Sequence, residues 1–203
     1  MCSYPTVGET RAVTEELPVR AMLDGDQTRV LIVEDETDLA DMYAEYLSEY
    51  DTTIAYGGEQ ALDALSGEYD VILLDRRMPV VSGNEVLAAI EERKLDCRVA
   101  MVTADDPDFD DIDPRIDDSV VKPVTRAELR ETVTRLLKLE AYTERMQHLT
   151  SKKLKRNVLR VEKARVDLSE SREFERLESE ISTLESELDR LAEELDVEAP
   201  DAV

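Results

Sequence analysis

Four short apolar runs, each stopping at a polar or charged residue, constrain this chain more than any other feature. Val30-Leu31-Ile32-Val33 stops at Glu34-Asp35, and Val71-Ile72-Leu73-Leu74 stops at Asp75. Val99-Ala100-Met101-Val102 stops at Thr103, and Val120-Val121 stops at Lys122. Short apolar runs without alternation, rich in β-branched residues, predict strands buried on both faces. Thr52-Thr53-Ile54-Ala55 reads as a weaker strand of the same set. Between the runs, apolar residues recur at helical spacing. Leu39, Met42, Tyr43, Tyr46, Leu47 and Tyr50 form one such series, Leu62 and Leu65 a second after the Gly57-Gly58 break, and Val86, Leu87 and Ile90 a third beyond Pro79 and Gly83. Strands alternating with helices require a parallel sheet covered on both sides.

Five such units between residues 29 and 138 match a flavodoxin-like α/β fold with strand order 2-1-3-4-5. That order sets the carboxyl ends of strands one and three side by side, so Glu34, Asp35 and Asp75 converge. Three clustered carboxylates repel one another and need a cation. Oxygen-only ligands suit Mg²⁺, which would also shield Asp75 from an approaching phosphoryl donor. Thr103, at the end of strand four, offers a hydroxyl to a phosphoryl oxygen. Lys122, at the end of strand five, offers an ammonium that balances charge in the same cleft. Pro123 fixes the chain direction there, and a cis Lys122–Pro123 bond would turn the lysine inward. Thr125 and Glu128 form a capping box for the next helix, with Val124 stapled to Leu129.

These residues carry a resemblance. Val30-Leu31-Ile32-Val33-Glu34-Asp35-Glu36 is similar to the acidic-pair motif of response-regulator receiver domains. Leu73-Leu74-Asp75-Arg76-Arg77-Met78-Pro79, with Gly83 beyond, is similar to their phosphoacceptor motif. Val102-Thr103-Ala104 and Val121-Lys122-Pro123 resemble the other two. The resemblance implies that Asp75 accepts the phosphoryl group and that Thr103 and Lys122 assist. It implies a Mg²⁺ site formed by Asp35, Asp75 and the Arg77 backbone carbonyl, with Glu34 helping through water. It also implies a histidine kinase as partner, and a switch rather than a turnover enzyme. Two departures stand out. Ser119 occupies the position where many receivers carry a switch aromatic. The stretch from Thr103 to Lys122 is short and holds Pro107, Pro114 and eight Asp between 105 and 118, which makes a regular fourth helix there doubtful. Arg77 and Asp105 are expected to pair across the cleft and restrict water near the phosphoryl group.

Beyond residue 139 no strand signal remains. Residues 144–165 hold eight Lys or Arg against two Glu, and residues 170–196 hold eleven acids against three Arg. Phe174, Leu177, Ile181, Leu184, Leu188, Leu191 and Leu195 repeat at 3-4 spacing, a coiled-coil-like seam. A helix of this length needs a partner in water. Leu154, Val158, Val161 and Leu168, just upstream, supply a patchier seam broken by Arg165. An antiparallel hairpin through the Ser169-Glu170-Ser171 break would bury both seams and set basic against acidic faces. A parallel homodimer through the acidic helix is the rival geometry. This region resembles the HalX module found behind receivers in haloarchaea. The domains expected are therefore a flexible lead over 1–28, with Met22 as an alternative start, a receiver over 29–138, and a HalX-like module over 139–203.

The formal net charge of -24, with 49 acidic and 25 basic residues, opposes general binding to DNA and fits the acid-rich surfaces of halophile proteins. No run approaches the ~18 apolar residues that a membrane helix needs, so a cytoplasmic protein is expected. Cys2 and Cys97 form no framework, and Cys97 reads as a small core residue. Asp106, Asp108 and Asp110 hint at a calcium loop, but Asp111 stands where such a loop needs glycine. His148 reads as a surface residue. A phosphorylation-controlled interaction module is the leading expectation. A coiled-coil adaptor that no longer switches and a DNA-associated transcription regulator are the alternatives; no helix-turn-helix pattern supports the last.

Overall fold

The computed structural model describes residues 28–65, 69–104, 113–162 and 171–197. Its strands are β1 (Arg29–Val33), β2 (Asp51–Ala55), β3 (Val71–Asp75), β4 (Arg98–Thr103) and β5 (Asp118–Val121). All pair in parallel in the order β2-β1-β3-β4-β5, as the alternating pattern predicts. The helices are α1 (Thr37–Tyr46), α2 (Gly58–Ala64), α3 (Gly83–Arg93), α4 (Arg126–Glu162) and α5 (Arg172–Leu195). Tyr50, placed with the first helical series, lies beyond the end of α1.

The two-residue period of the strands divides the core into two. Val30, Ile32, Val71, Leu73, Ala100 and Val102 pack with Tyr43 and Leu47 on one side, under Leu129, Val133 and Leu136 of α4. Leu31, Val33, Ile72, Leu74, Val99 and Met101 face the other side, against Ala61, Val86, Leu87 and Ile90 of α2 and α3. Covering both faces is what makes β3 buried at every position and its sequence continuously apolar.

Residues 105–112 fall outside the described residues. The Arg77–Asp105 pairing and the Asp106–Asp111 loop therefore lie outside them too, as do residues 1–27, Leu168 and the Ser169-Glu170 part of the break. Among the described residues no helix separates β4 from β5.

The capping box at Thr125 is present. The Thr125 backbone N–H donates to Glu128 Oε2 (2.8 Å), and the Glu128 N–H donates to Thr125 Oγ1 (3.3 Å). Val124 and Leu129 are both buried in the same cluster. From this cap α4 runs for 37 residues without interruption. Its first half covers the sheet. Near Glu140 and Thr143 it passes Arg98 at the amino end of β4, whose guanidinium holds Glu140 (2.6 Å), Asp117 (2.8 Å) and the Thr143 hydroxyl (2.7 Å). The remainder extends past the sheet and packs against α5.

That packing is an antiparallel hairpin. Leu177, Ile181, Leu184 and Leu188 of α5 bury with Leu149 of α4, and Tyr142, Met146 and Leu159 flank them. Ion pairs run along its length in antiparallel register. They join Lys138 to Glu194, Arg145 to Glu187, Lys152 to Glu180 and Arg156 to Glu178. Because the α5 seam is spent inside the chain, it is not exposed for a parallel dimer.

The partner seam on α4 differs from the expected one. Leu154, Val158 and Val161 are exposed, at 65%, 47% and 78%. At 100° per residue they point away from α5. The face turned toward α5 instead carries Arg145, Lys152 and Arg156 between Tyr142, Met146, Leu149 and Leu159. These basic stems cover apolar surface while their heads reach the α5 carboxylates. Arg145 is itself only 7% exposed, donating to Glu187 (3.0 Å) and to the Ala141 carbonyl (3.0 Å).

Candidate functional site

Strand register sets the site. Val33 pairs with Leu74, so Glu34 emerges level with Asp75, and Asp75 pairs with Val102, one residue before Thr103. Glu34, Asp75 and Thr103 are all buried, while Asp35 reaches solvent. One carboxylate oxygen from each of Glu34, Asp35 and Asp75 lies within 4.8 Å of the others.

Lys122 closes the group. Its Nζ stands 2.7 Å from Glu34 Oε2 and 3.1 Å from Asp75 Oδ2. The Lys122 backbone N–H donates to the Thr103 carbonyl (2.7 Å), anchoring the end of β5 to that of β4. The Lys122–Pro123 bond is cis, one of the geometries a proline allows at this position. Burial works against the Lys122 charge, but hydrogen bonds to Glu34 and Asp75 outweigh it and hold the ammonium above its ordinary pKa. Burial pushes Glu34 up to about 7, with Asp75 repelling its charge and Lys122 opposing the rise. The Tyr43 phenol, buried beneath these groups, is pushed up to about 12.

The loop after β3 is shaped by close backbone approach. The Arg77 N–H donates to Asp75 Oδ1 (3.2 Å), holding the Arg77 backbone against the carboxylate. The Gly83 N–H donates to the Arg76 carbonyl (3.1 Å). A Cβ at Gly83 would lie 2.2 Å from the Asp75 carbonyl oxygen, so only glycine fits. Ser82 caps α3, with its side chain and Glu85 completing a capping box that the sequence reading passed over. Ser82 and Glu85 have the spacing that would have revealed it.

Clustered carboxylates with a buried oxygen fit a hard divalent cation. Lys122 offsets only part of their charge. Glu34, Asp35 and Asp75 would hold such an ion, which supplies electrostatic shielding of a nearby anion when bound.

Residues 30–134 match the response regulator receiver domain model. The chain belongs to the response regulator receiver family. Residues 138–202 of this receiver protein match the HalX domain model. A Haloferax volcanii protein that carries the name of a transcriptional regulator is 51% identical over 110 residues, covering 53% of this chain and 19% of its own length. Response regulator SaeR of Staphylococcus aureus is 34% identical over 116 residues, covering 54% of this chain and 50% of SaeR. The chain thus spans half or less of these relatives. Among solved structures, the response regulator TrrA of Thermotoga maritima in complex with Mg²⁺–BeF is 36% identical with a TM-score of 0.50, covering 54% of this chain and 98% of that one. The LuxO-type receiver of Vibrio parahaemolyticus is 28% identical with a TM-score of 0.54, over 58% and 95%. The receiver fold and its place in two-component signalling follow. Among the described residues no helix is long and apolar enough to cross a membrane.

His148 lies on the exposed side of α4. Cys97 is half-buried against the α2–α3 core, and burial pushes its thiol up to about 11. Ser119 is exposed on β5.

Proposed function

We propose that this receiver accepts a phosphoryl group from a phosphohistidine of a kinase onto Asp75. An Asp75 carboxylate oxygen forms the new bond to phosphorus as the bond from phosphorus to the histidine nitrogen breaks. The observation that carries this reading is the Lys122 ammonium seated between Glu34 and Asp75. It orients the Asp75 carboxylate and places positive charge where an anionic group must arrive. Thr103, buried at the end of β4 one residue past the register partner of Asp75, supplies a hydroxyl at the same end of the sheet, and the Arg77 N–H already orients the carboxylate. Mg²⁺ fits the carboxylate cluster, and TrrA, crystallised with Mg²⁺–BeF, supports that choice of ion.

The helical hairpin is the output element of this reading, acting through protein contacts. Arg145, Lys152, Lys153, Arg156 and Arg160 of its basic helix are all engaged with α5 carboxylates. That leaves little of this helix's charge for a phosphate backbone, and favours a protein-contact module over a DNA-binding one. The test is labelling by a small phosphodonor with Mg²⁺ in high salt. Asp75→Ala should abolish the label and chelation should suppress it; full labelling of Asp75→Ala would refute the assignment.

A further inference from the structure

The face of α4 turned away from α5 has a composition unlike the rest of the molecule. Directly opposite α5, its exposed positions between 147 and 161 are Gln147, Thr150, Ser151, Leu154, Asn157, Val158 and Val161, with exposed His148, Lys155 and Arg160 on the flanks. None of the seven central positions is charged, in a chain where 36% of residues are. Gln147, Thr150, Leu154, Asn157 and Val161 follow one another at alternating spacings of three and four, the a and d positions of two heptads. Ser151 and Val158 fall at the adjoining e positions. Among the described residues, Leu154, Val158 and Val161 are the large exposed aliphatic side chains on the helices.

We propose that this stripe is a self-association surface, on which a second copy of the chain packs its own α4 in parallel about a two-fold axis. Charge selects the partner. Two copies at -24 each repel wherever their acidic surfaces approach. The stripe is neutral and lies in the stretch 144–165, where basic residues outnumber acidic ones by eight to two. It is therefore the place where copies approach with least repulsion. An acidic or basic partner protein would call for charges here, and the stripe offers none.

Charge also selects the direction. Lys153 and Arg160 occupy the g positions beside the stripe. A parallel pair places Lys153 next to the neutral Val158 of the other copy. An antiparallel pair would bring the basic g positions together, where like charges destabilise. In the parallel pair Asn157 meets its own counterpart, and the two side-chain amides can hydrogen-bond to each other across the axis. Each α5 then lies on the outside, its acidic face toward solvent and far from its counterpart.

Analytical ultracentrifugation of the full chain in molar KCl, over a wide concentration range, tests this surface. A reversible monomer–dimer equilibrium is expected. Leu154→Glu and Val158→Glu should each weaken it by at least about tenfold, since an unpaired charge would be buried in the contact. Both positions are exposed in the monomer, so helix content should be unchanged. Asn157→Cys, in a Cys2→Ser, Cys97→Ser background, should form an interchain disulfide on mild oxidation, because parallel packing brings identical positions together. A chain that stays monomeric at every concentration, or a dimer insensitive to both glutamates, would overturn the proposal. So would a monomer whose Leu154→Cys thiol is shielded from a maleimide, as that would mean the chain's own residues cover the stripe. A glutamate-sensitive dimer without the Asn157→Cys cross-link would overturn the parallel geometry.

Discussion

Replacing Leu188 with alanine separates the hairpin from the sheet energetically. Leu188 is fully buried, at 0% exposure, in a cluster formed only by α4 and α5. Truncating a buried leucine to alanine costs ~2–5 kcal/mol, from lost transfer energy and the cavity left behind. Taking ~3 kcal/mol, the docking equilibrium of α5 shifts by on the order of a hundredfold, since each ~1.4 kcal/mol is tenfold. A 24-residue helix that loses its packed face is marginal in water, so α5 should fray as a unit. Amide hydrogen exchange reads this directly. Protection should drop across 172–195 and the facing part of α4, while β1, β3 and β4 keep theirs. Leu154→Ala, at dilute concentration, should change protection by less than ~0.5 kcal/mol, as expected for an exposed site. Equal loss of protection in the sheet would show that the hairpin and sheet form one cooperative unit. A larger effect at Leu154 than at Leu188 would refute the assignment of the seam.

Gly83→Ala should destabilise the receiver by ~1–3 kcal/mol and slow labelling of Asp75, because the new methyl meets the Asp75 carbonyl and forces the loop away; thermal melts and labelling rates check both. Lys152 holds the Glu180 carboxyl below its ordinary pKa of 4.5, and Lys138 does the same for Glu194. Folded values below the unfolded ones mean that this stabilisation is present above pH 4.5 and is lost as pH falls through the lower folded values. Helix content followed by circular dichroism should therefore hold as pH falls to 4.5 and decline below it. The melting temperature should climb with salt as the Debye length shrinks from ~30 Å at 0.01 M to ~3 Å at 1 M, since -24 charges repel on a small surface; a flat response would show that the acids are compensated locally.

The sheet and the residues of the phosphoacceptor cleft were legible because each strand is a short apolar run whose last residue must sit at the carboxyl end. Once the order is 2-1-3-4-5, Glu34, Asp75, Thr103 and Lys122 have little freedom to be anywhere else. What was not legible depended on side chains that bridge distant segments. Nothing in the sequence sets Glu34 apart from Asp35, yet the fold buries one and leaves the other at the surface. Arg98 reads as an unremarkable strand opener, though it ties β4 to Asp117 and to α4. On α4, counting apolar residues pointed to Leu154, Val158 and Val161. The packed face is instead completed by the methylene stems of Arg145, Lys152 and Arg156, which a hydropathy pattern scores as polar.

The unbroken course of α4 has a mechanical consequence. The helix starts beside the Lys122–Pro123 bond, is gripped partway by Arg98, and projects beyond the sheet to Glu162. From Thr143 to Glu162 that projection is about 28 Å at about 1.5 Å per residue. A tilt of about 5° around the Arg98 grip would sweep the far end through about 2.5 Å, half the pitch of a helical turn. The helix is thus a lever pivoted near its middle, with about 26 Å between the grip at Thr143 and the cleft end at Arg126 and about 28 Å beyond it, so a shift at the cleft end reappears at nearly its full size at the hairpin.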